Sequence, residues 1–169
     1  MKVKHISIAV DPEQTGNPVF GAPADLTAYI LEPVEGITDK KRPAVLLCPG
    51  GGYHKLSGRE DQPIAMKYLA AGFHVFVLHY SLVPDVFPRA LMELALSMKL
   101  IREHGNEWNV DVKRIAVSGF SAGGHLACCL GTFWNKEWLY KALEVKPEMI
   151  QPNGMILCYP VITSEEYCH

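Results

Sequence analysis

Apolar residues follow two different patterns along this chain, and the alternation between the patterns predicts its architecture. Near the N-terminus, apolar and polar residues alternate as they do in half-buried strands. Further along, uninterrupted apolar runs are typical of strands that are covered on both faces of a sheet. The predicted strands span residues 3–10, 26–31, 44–48, 73–78, 114–118 and 155–159.

Helical spacing of apolar residues predicts helices between these strands. One helix begins near Pro63, with Asp61 as its cap, and ends at Gly72. A longer helix begins at Pro88 and ends at Gly105, because its apolar residues recur every three or four positions. Since strands and helices alternate, the sequence predicts an α/β fold. We expect a mostly parallel, twisted sheet with helices on both faces and antiparallel edge strands at the N-terminal end.

Composition narrows the class of protein. At about 150 residues per domain, 169 residues make one domain. Hydrophobic residues make up 49% and charged residues 20%, which excludes a disordered or coiled-coil chain. The net charge of -2, without any basic run, argues against a nucleic-acid partner.

The cellular setting is also predicted from composition. No stretch approaches the length of a membrane span, and the N-terminus has no apolar stretch typical of a secretory signal. The five cysteines form an odd set without a C-x-x-C pair. We therefore expect a cytoplasmic protein with reduced, partly buried thiols, and a catalytic role for one of them stays open.

A G-x-S-x-G motif follows the strand at residues 114–118. Gly119, Ser121 and Gly123 lie between that strand and a predicted helix, which is the context in which this motif marks a serine nucleophile. The small residues let a tight turn close while the serine hydroxyl projects above the sheet. The alternative is a glycine-rich turn that binds phosphate or only folds.

A second glycine-rich segment follows the strand at residues 44–48. Gly50, Gly51 and Gly52 lie about 70 residues before Ser121, where an acyl-transfer enzyme of this architecture places its second oxyanion donor. A dinucleotide-binding turn is excluded, because Lys55 stands where its third glycine would be.

These motifs are similar to those of the α/β-hydrolase carboxylesterases, in particular the branch that contains hormone-sensitive lipase and small acetyl-esterase or xylan-esterase-like proteins. The matching stretches are residues 48–53, 79–84, 87–88, 111–117 and 119–127. The resemblance implies that Ser121 is the nucleophile of a serine ester hydrolase and that Gly119 and Gly123 shape its turn. It also implies an oxyanion hole formed by the backbone N–H groups of Gly51, Gly52 and Ala122.

The sequence departs from the family pattern in three places. Pro49 replaces the histidine of the usual His-Gly-Gly-Gly, which leaves the backbone donors intact. Ser81 replaces an arginine that often follows the tyrosine, which puts a structural ion pair in doubt. The family's catalytic Asp or Glu and His come after strands that follow residues 155–159, and they are not identified in this chain.

A serine hydroxyl needs a general base, and the histidines of this chain are the candidates for that role. His54 follows the glycine-rich segment and His79 ends a strand, so both, with Tyr53, are candidates for the pocket. His125 lies one helical turn after Ser121, but its side chain is expected to point into packing. His169 is the last residue, and Glu165 and Glu166 lie at the wrong stage of the fold for an acid.

Other chemistry is less well supported by the sequence. Trp134, Trp138 and Tyr140 form either an aromatic wall for a substrate or packing on the sheet. No cluster of His, Cys or acidic residues has metal-ligand spacing, so neither a metal nor a cofactor is expected.

Two hypotheses about function remain. The first is a serine carboxylesterase that hydrolyses short-chain, acetyl-type esters, including those of carbohydrates, through an acyl-enzyme. The second is a truncated or degenerate hydrolase half without turnover that acts as a binding or assembly module. In both, we expect residues 1–169 to be a single domain that is incomplete at its C-terminal end. An exposed sheet edge would then favour a homo-oligomer.

Overall fold

The computed structural model describes residues 1–34, 36 and 40–163. Within this part of the chain, six strands form one sheet. They are β1 Lys2–Ile8, β2 Ala24–Ile30, β3 Arg42–Cys48, β4 His74–His79, β5 Val110–Phe120 and β6 Gly154–Cys158. All six predicted strands are therefore present, with ends that shift by up to a few residues.

The strand order explains why the sheet is only partly parallel. The order is β1-β2-β4-β3-β5-β6, in which the pairs β4–β3, β3–β5 and β5–β6 are parallel. The pairs β1–β2 and β2–β4 are antiparallel. The α/β fold with antiparallel N-terminal strands is confirmed. The carboxyl ends of β3 and β5 lie side by side, with Cys48 opposite Gly119.

The described helices surround this sheet. They are α1 Pro12–Thr15, α2 Gln62–Ala70, α3 Arg89–Glu103, α4 Ala122–Phe133, α5 Glu137–Ala142 and α6 Pro147–Ile150. The short helices α1, α5 and α6 were not predicted, because four to six residues are too few to show a helical period. Asp61 lies at the N-cap position of α2, as predicted, but its side chain makes no capping hydrogen bond.

Alternate residues of the central strands pack against different helices. Val45 and Leu47 belong to a cluster with Ala65 and Leu69 of α2. The intervening residues, such as Leu46, belong to the larger core that contains α3 and α4. Both faces of the sheet are thus covered, which accounts for the continuous apolar runs of β3 and β4.

The outer strand β6 is less well covered than the central ones. Met155 is 47% exposed and Ile156 is 39% exposed. Among the described residues, no helix is both long enough and apolar enough to cross a membrane.

Candidate active site

Ser121 lies in the turn between β5 and α4, with an unusual backbone conformation. Its φ of 52° and ψ of -117° are sparsely populated by residues with a side chain. The turn is held from both sides, because the Ser121 N–H donates to Cys158 O at 3.0 Å and its carbonyl accepts from His125 N at 3.0 Å. Strain of this kind persists only where the surrounding structure enforces it.

The glycines of the motif are required by close backbone contacts. A Cβ atom on Gly119 would lie 2.1 Å from the carbonyl oxygen of Gly123. A Cβ atom on Gly123 would lie 2.1 Å from Cys48 O and 2.5 Å from Pro49 O. The turn that carries Ser121 therefore packs directly on the end of β3, where the glycine-rich segment begins.

The glycine-rich segment, which we call the glycine loop (residues 49–53), reaches the serine turn. A Cβ atom on Gly50 would lie 3.1 Å from Ser121 Cβ and 2.6 Å from Phe120 O. Gly51 and Gly52 have φ values of 135° and 65°, so the loop needs residues without side chains. Within the described chain, the N–H groups of Gly51, Gly52 and Ala122 have no hydrogen-bond acceptor.

Ser121 faces a cavity of about 430 Å³ that we call the serine cavity. Its wall comes from the glycine loop, from the segment that precedes α2, and from the end of β6. The lining residues are Gly51, Gly52, Lys55, Leu56, Ser57, Gly58, Arg59, Glu60, Ser121 and Tyr159. Most of these contribute polar or charged groups, and none of the described histidines is among them.

Glu60 is a residue of this cavity that the sequence did not single out. Its Oε2 accepts the N–H of Gly50 at 2.9 Å, and its Oε1 accepts the hydroxyl of Tyr159 at 2.8 Å. This second hydrogen bond raises the pKa of Tyr159. The one sequence signal for Glu60 is its position between the glycine loop and α2. Its contact with Tyr159 could not be predicted, because Tyr159 is far away in the sequence.

Tyr53 and His125 lie on the other side of the glycine loop, away from the serine cavity. The Tyr53 hydroxyl is 2.8 Å from His125 Nδ1, and His125 Nε2 is 3.5 Å from Cys129 Sγ. All three residues line a second cavity of about 280 Å³ that we call the apolar cavity. Its other lining residues are Ser81, Val83, Asp85, Val86, Phe87, Ala90, Leu91 and Leu126.

His125 and His79 are both engaged by other side chains. Both ring nitrogens of His125 have the partners given above, in agreement with the expectation that it points into packing. His79 Nε2 lies 2.6 Å from Asp61 Oδ2, and its Nδ1 lies 3.5 Å from Asp25 Oδ2. The hydrogen bond with Asp61 raises the pKa of His79. Neither ring offers a free nitrogen to Ser121.

Among the residues that the structure describes, the remaining candidates do not place a base beside Ser121. His54 is exposed, and its backbone N–H donates to Gly51 O at 3.2 Å. Glu165, Glu166 and His169 lie outside the described residues. Burial raises the pKa of Cys48 far above its usual range and that of Cys129 to about 11, so these two thiols stay protonated. No group of metal ligands is found among the described residues.

Arg89 forms buried ion pairs close to Ser81, the position where the family often has an arginine. Arg89 Nε lies 3.0 Å from Glu93 Oε1, and its Nη1 lies 2.7 Å from Asp85 Oδ1. The Ser81 N–H donates to Glu93 Oε2 at 2.7 Å. Arg89 also donates to Gly21 O, so the buried pair ties the loop after β4 to the N-terminal segment.

The aromatic residues after α4 divide between packing and exposure. Trp134 and Tyr140 pack against the main core. Trp138 is 42% exposed and forms a cluster with Phe87 and Phe133. Phe87 lines the apolar cavity, so the cluster adjoins that cavity. Of these three residues, Trp138 is therefore the one that stays a candidate for an aromatic wall beside a substrate.

This arrangement of serine turn and glycine loop agrees with a known family. The family model described as BD-FAE matches residues 33–156, which is most of the chain. The chain belongs to this family.

Named relatives of the chain act on esters or on xylan. It is 32% identical over 158 residues to endo-1,4-beta-xylanase B from Butyrivibrio fibrisolvens, with 89% of this chain and 23% of the relative covered. It is 30% identical to an acetylxylan esterase from Xylanibacter ruminicola, with 73% of this chain and 23% of the relative covered. The crystal structure of carboxylesterase Cest-2923 from Lactobacillus plantarum is also similar. It has a TM-score of 0.78 and 30% identity, with 99% of this chain and 62% of that chain covered.

The chain spans about a quarter of the length of these curated relatives and less than two thirds of that crystal structure. The resemblance is nevertheless to ester hydrolases of the α/β-hydrolase fold. It favours the esterase hypothesis over a binding or assembly module without turnover.

Proposed function

We propose that this chain carries the nucleophile and the oxyanion hole of a serine carboxylesterase. The observation that carries the proposal is the junction between Ser121 and the glycine loop. A strained serine, the unbonded N–H groups of Gly51, Gly52 and Ala122, and a cavity that admits a substrate occur together there. A phosphate-binding turn would not require the strained serine.

In the proposed mechanism, Ser121 Oγ attacks the carbonyl carbon of an ester. Its proton passes to a general base that the described residues do not supply, and the carbonyl oxygen becomes an oxyanion. The three N–H groups donate to this oxyanion, and the N-terminal end of α4 adds its positive dipole. The alcohol then leaves with a proton, and water hydrolyses the acyl-enzyme to release the acid and regenerate Ser121.

Short acyl groups are the proposed substrate class. The acetylxylan esterase relative acts on an acetylated carbohydrate by its name, and this supports acetyl esters as substrates here. Acetyl esters of carbohydrates are therefore the first substrates to test.

The test uses the protein expressed from its natural gene, so that every encoded residue is present. We expect hydrolysis of p-nitrophenyl acetate, and we expect Ser121→Ala to reduce kcat by a factor of about 10⁴ or more. Ser7→Ala, which changes an exposed serine of β1, is the matched control and should retain wild-type activity. Undiminished hydrolysis by Ser121→Ala would refute the proposal.

A further inference from the structure

An ester has two portions, the acyl group and the alcohol, which can differ in polarity. The two cavities beside the glycine loop also differ in polarity. The apolar cavity is lined mainly by aliphatic and aromatic side chains. The serine cavity has a larger polar share, with Lys55, Ser57, Arg59 and Glu60 among its lining residues. An alkyl or aryl group would displace water from the half-buried Glu60 carboxylate without replacing its hydrogen bonds, whereas a hydroxylated group would replace them.

Glu60 is a carboxylate of the serine cavity with unused acceptor capacity. It is half-buried, and none of the described cations lies within ion-pair distance of it. Each carboxylate oxygen has two lone pairs, and the Gly50 N–H and the Tyr159 hydroxyl occupy one on each oxygen. Both oxygens therefore retain an acceptor site.

The carboxylate of Glu60 also lies close to the reacting serine. A Cβ atom built on Gly50 would be 2.6 Å from Glu60 Oε2 and 3.1 Å from Ser121 Cβ, so the carboxylate and the serine approach the same point. A negative charge there destabilises an oxyanion on the substrate, so the Glu60 carboxylate does not serve to stabilise the transition state in that way. The carboxylate is instead suited to accept hydrogen bonds from substrate hydroxyls, because hydrogen bonds to a charged acceptor are stronger than those to a neutral one.

We propose that Glu60 determines specificity for the alcohol portion of the ester, by accepting hydrogen bonds from the hydroxyls of a sugar-like leaving group in the serine cavity. This inference rests on the proposed esterase function. The serine cavity then holds the alcohol portion, and Glu60 distinguishes a polyol from an alkyl alcohol.

The experiment compares two substrates that share the same acetyl group. Methyl 2-O-acetyl-xyloside carries free hydroxyls on its alcohol portion, and butyl acetate carries none. Because both give the same acetyl-enzyme, the ratio of their kcat/KM values reports the alcohol portion alone. We expect wild-type protein to favour the xyloside, and Glu60→Gln to lower the ratio by about 10- to 100-fold.

Glu60→Gln is a suitable variant because the glutamine amide oxygen still accepts the Gly50 N–H, while the charge is lost. Glu148→Gln is the matched control, since Glu148 is exposed on α6, and both its activity and its ratio should equal those of wild type. If Glu60→Gln does not fold, Glu60→Asp makes the same test, because it withdraws the carboxylate from the cavity and should also lower the ratio.

The outcomes separate this inference from the proposed function. If Glu60→Gln hydrolyses both esters with the wild-type ratio, this inference is overturned while the esterase function stands. If wild-type protein hydrolyses neither these esters nor p-nitrophenyl acetate, the esterase function is overturned, and this inference with it.

Discussion

The hydroxyl of Tyr53 lies 2.8 Å from Nδ1 of His125, and this contact joins the glycine loop to the helix that follows Ser121. Tyr53 directly follows Gly52, and its φ of 60° shows that the loop is strained there as well. Burial raises the pKa of the Tyr53 phenol far above its usual range, so the phenol stays protonated. The hydrogen bond between this neutral phenol and the His125 ring therefore links the two parts of the proposed oxyanion hole.

Removal of this hydrogen bond should impair catalysis more than substrate binding. We expect Tyr53→Phe to lower kcat for p-nitrophenyl acetate by about 3- to 10-fold with little change in KM, because misplaced N–H donors weaken only the transition state. Tyr140→Phe is the control, since Tyr140 packs on the core without a hydrogen bond from its hydroxyl in the described chain. A rise in KM at constant kcat would contradict this role for Tyr53.

Gly123 should tolerate no side chain. A Cβ atom there would overlap Cys48 O at 2.1 Å, so we expect Gly123→Ala to lower the free energy of unfolding by about 3 kcal/mol. Gly154→Ala has no atom within 4 Å of the added methyl group and should change stability by less than about 0.5 kcal/mol. Urea unfolding measures both values, and equal stability of the two variants would contradict the packing described here.

Replacement of one partner of the buried Arg89–Glu93 ion pair should destabilise the fold. Arg89 is 3% exposed and Glu93 is fully buried, so Arg89→Met leaves an unpaired buried carboxylate and should destabilise the fold by about 3–5 kcal/mol. Arg114→Met removes an exposed pair with Asp111 and should cost about 1 kcal/mol or less. Thermal unfolding of the two variants compares them directly, and similar melting temperatures would be inconsistent with this account.

His79 should make stability depend on pH. The hydrogen bond with Asp61 raises its folded pKa above the unfolded value. The protonated ring therefore contributes stability that is fully present below the unfolded pKa and is lost as pH rises through the folded pKa. We expect the contribution of His79 to the free energy of unfolding to fall as the pH rises from 6 to 9, and we expect His79→Gln to remove this contribution from the slope. His54→Gln, which changes an exposed histidine, should leave the slope as it is, and an unaltered slope in His79→Gln would refute the assignment.

Patterns that act over short distances in the chain were predictable from sequence. The apolar runs of β3 and β4 and the spacing of Gly119, Ser121 and Gly123 each depend on neighbouring residues. Periodicity and turn chemistry therefore identified the strands and the serine turn.

Contacts between distant residues were not predictable in this way. Asp61 resembles a helix cap in sequence, but His79 on β4 takes its carboxylate instead. Glu60 accepts a hydrogen bond from the hydroxyl of Tyr159, which is 99 residues away in the sequence. In both cases the fold decides which acceptor meets which donor, and no local period encodes that choice.

As the proposed nucleophile, Ser121 should carry the acyl group during turnover. The most direct test is mass spectrometry of peptides from protein that was reacted with p-nitrophenyl acetate and quenched in acid within the first turnover. We predict a single acetyl group on Ser121 and none in the Ser121→Ala variant. An acetyl group on another residue during turnover, with Ser121 unmodified, would contradict the account.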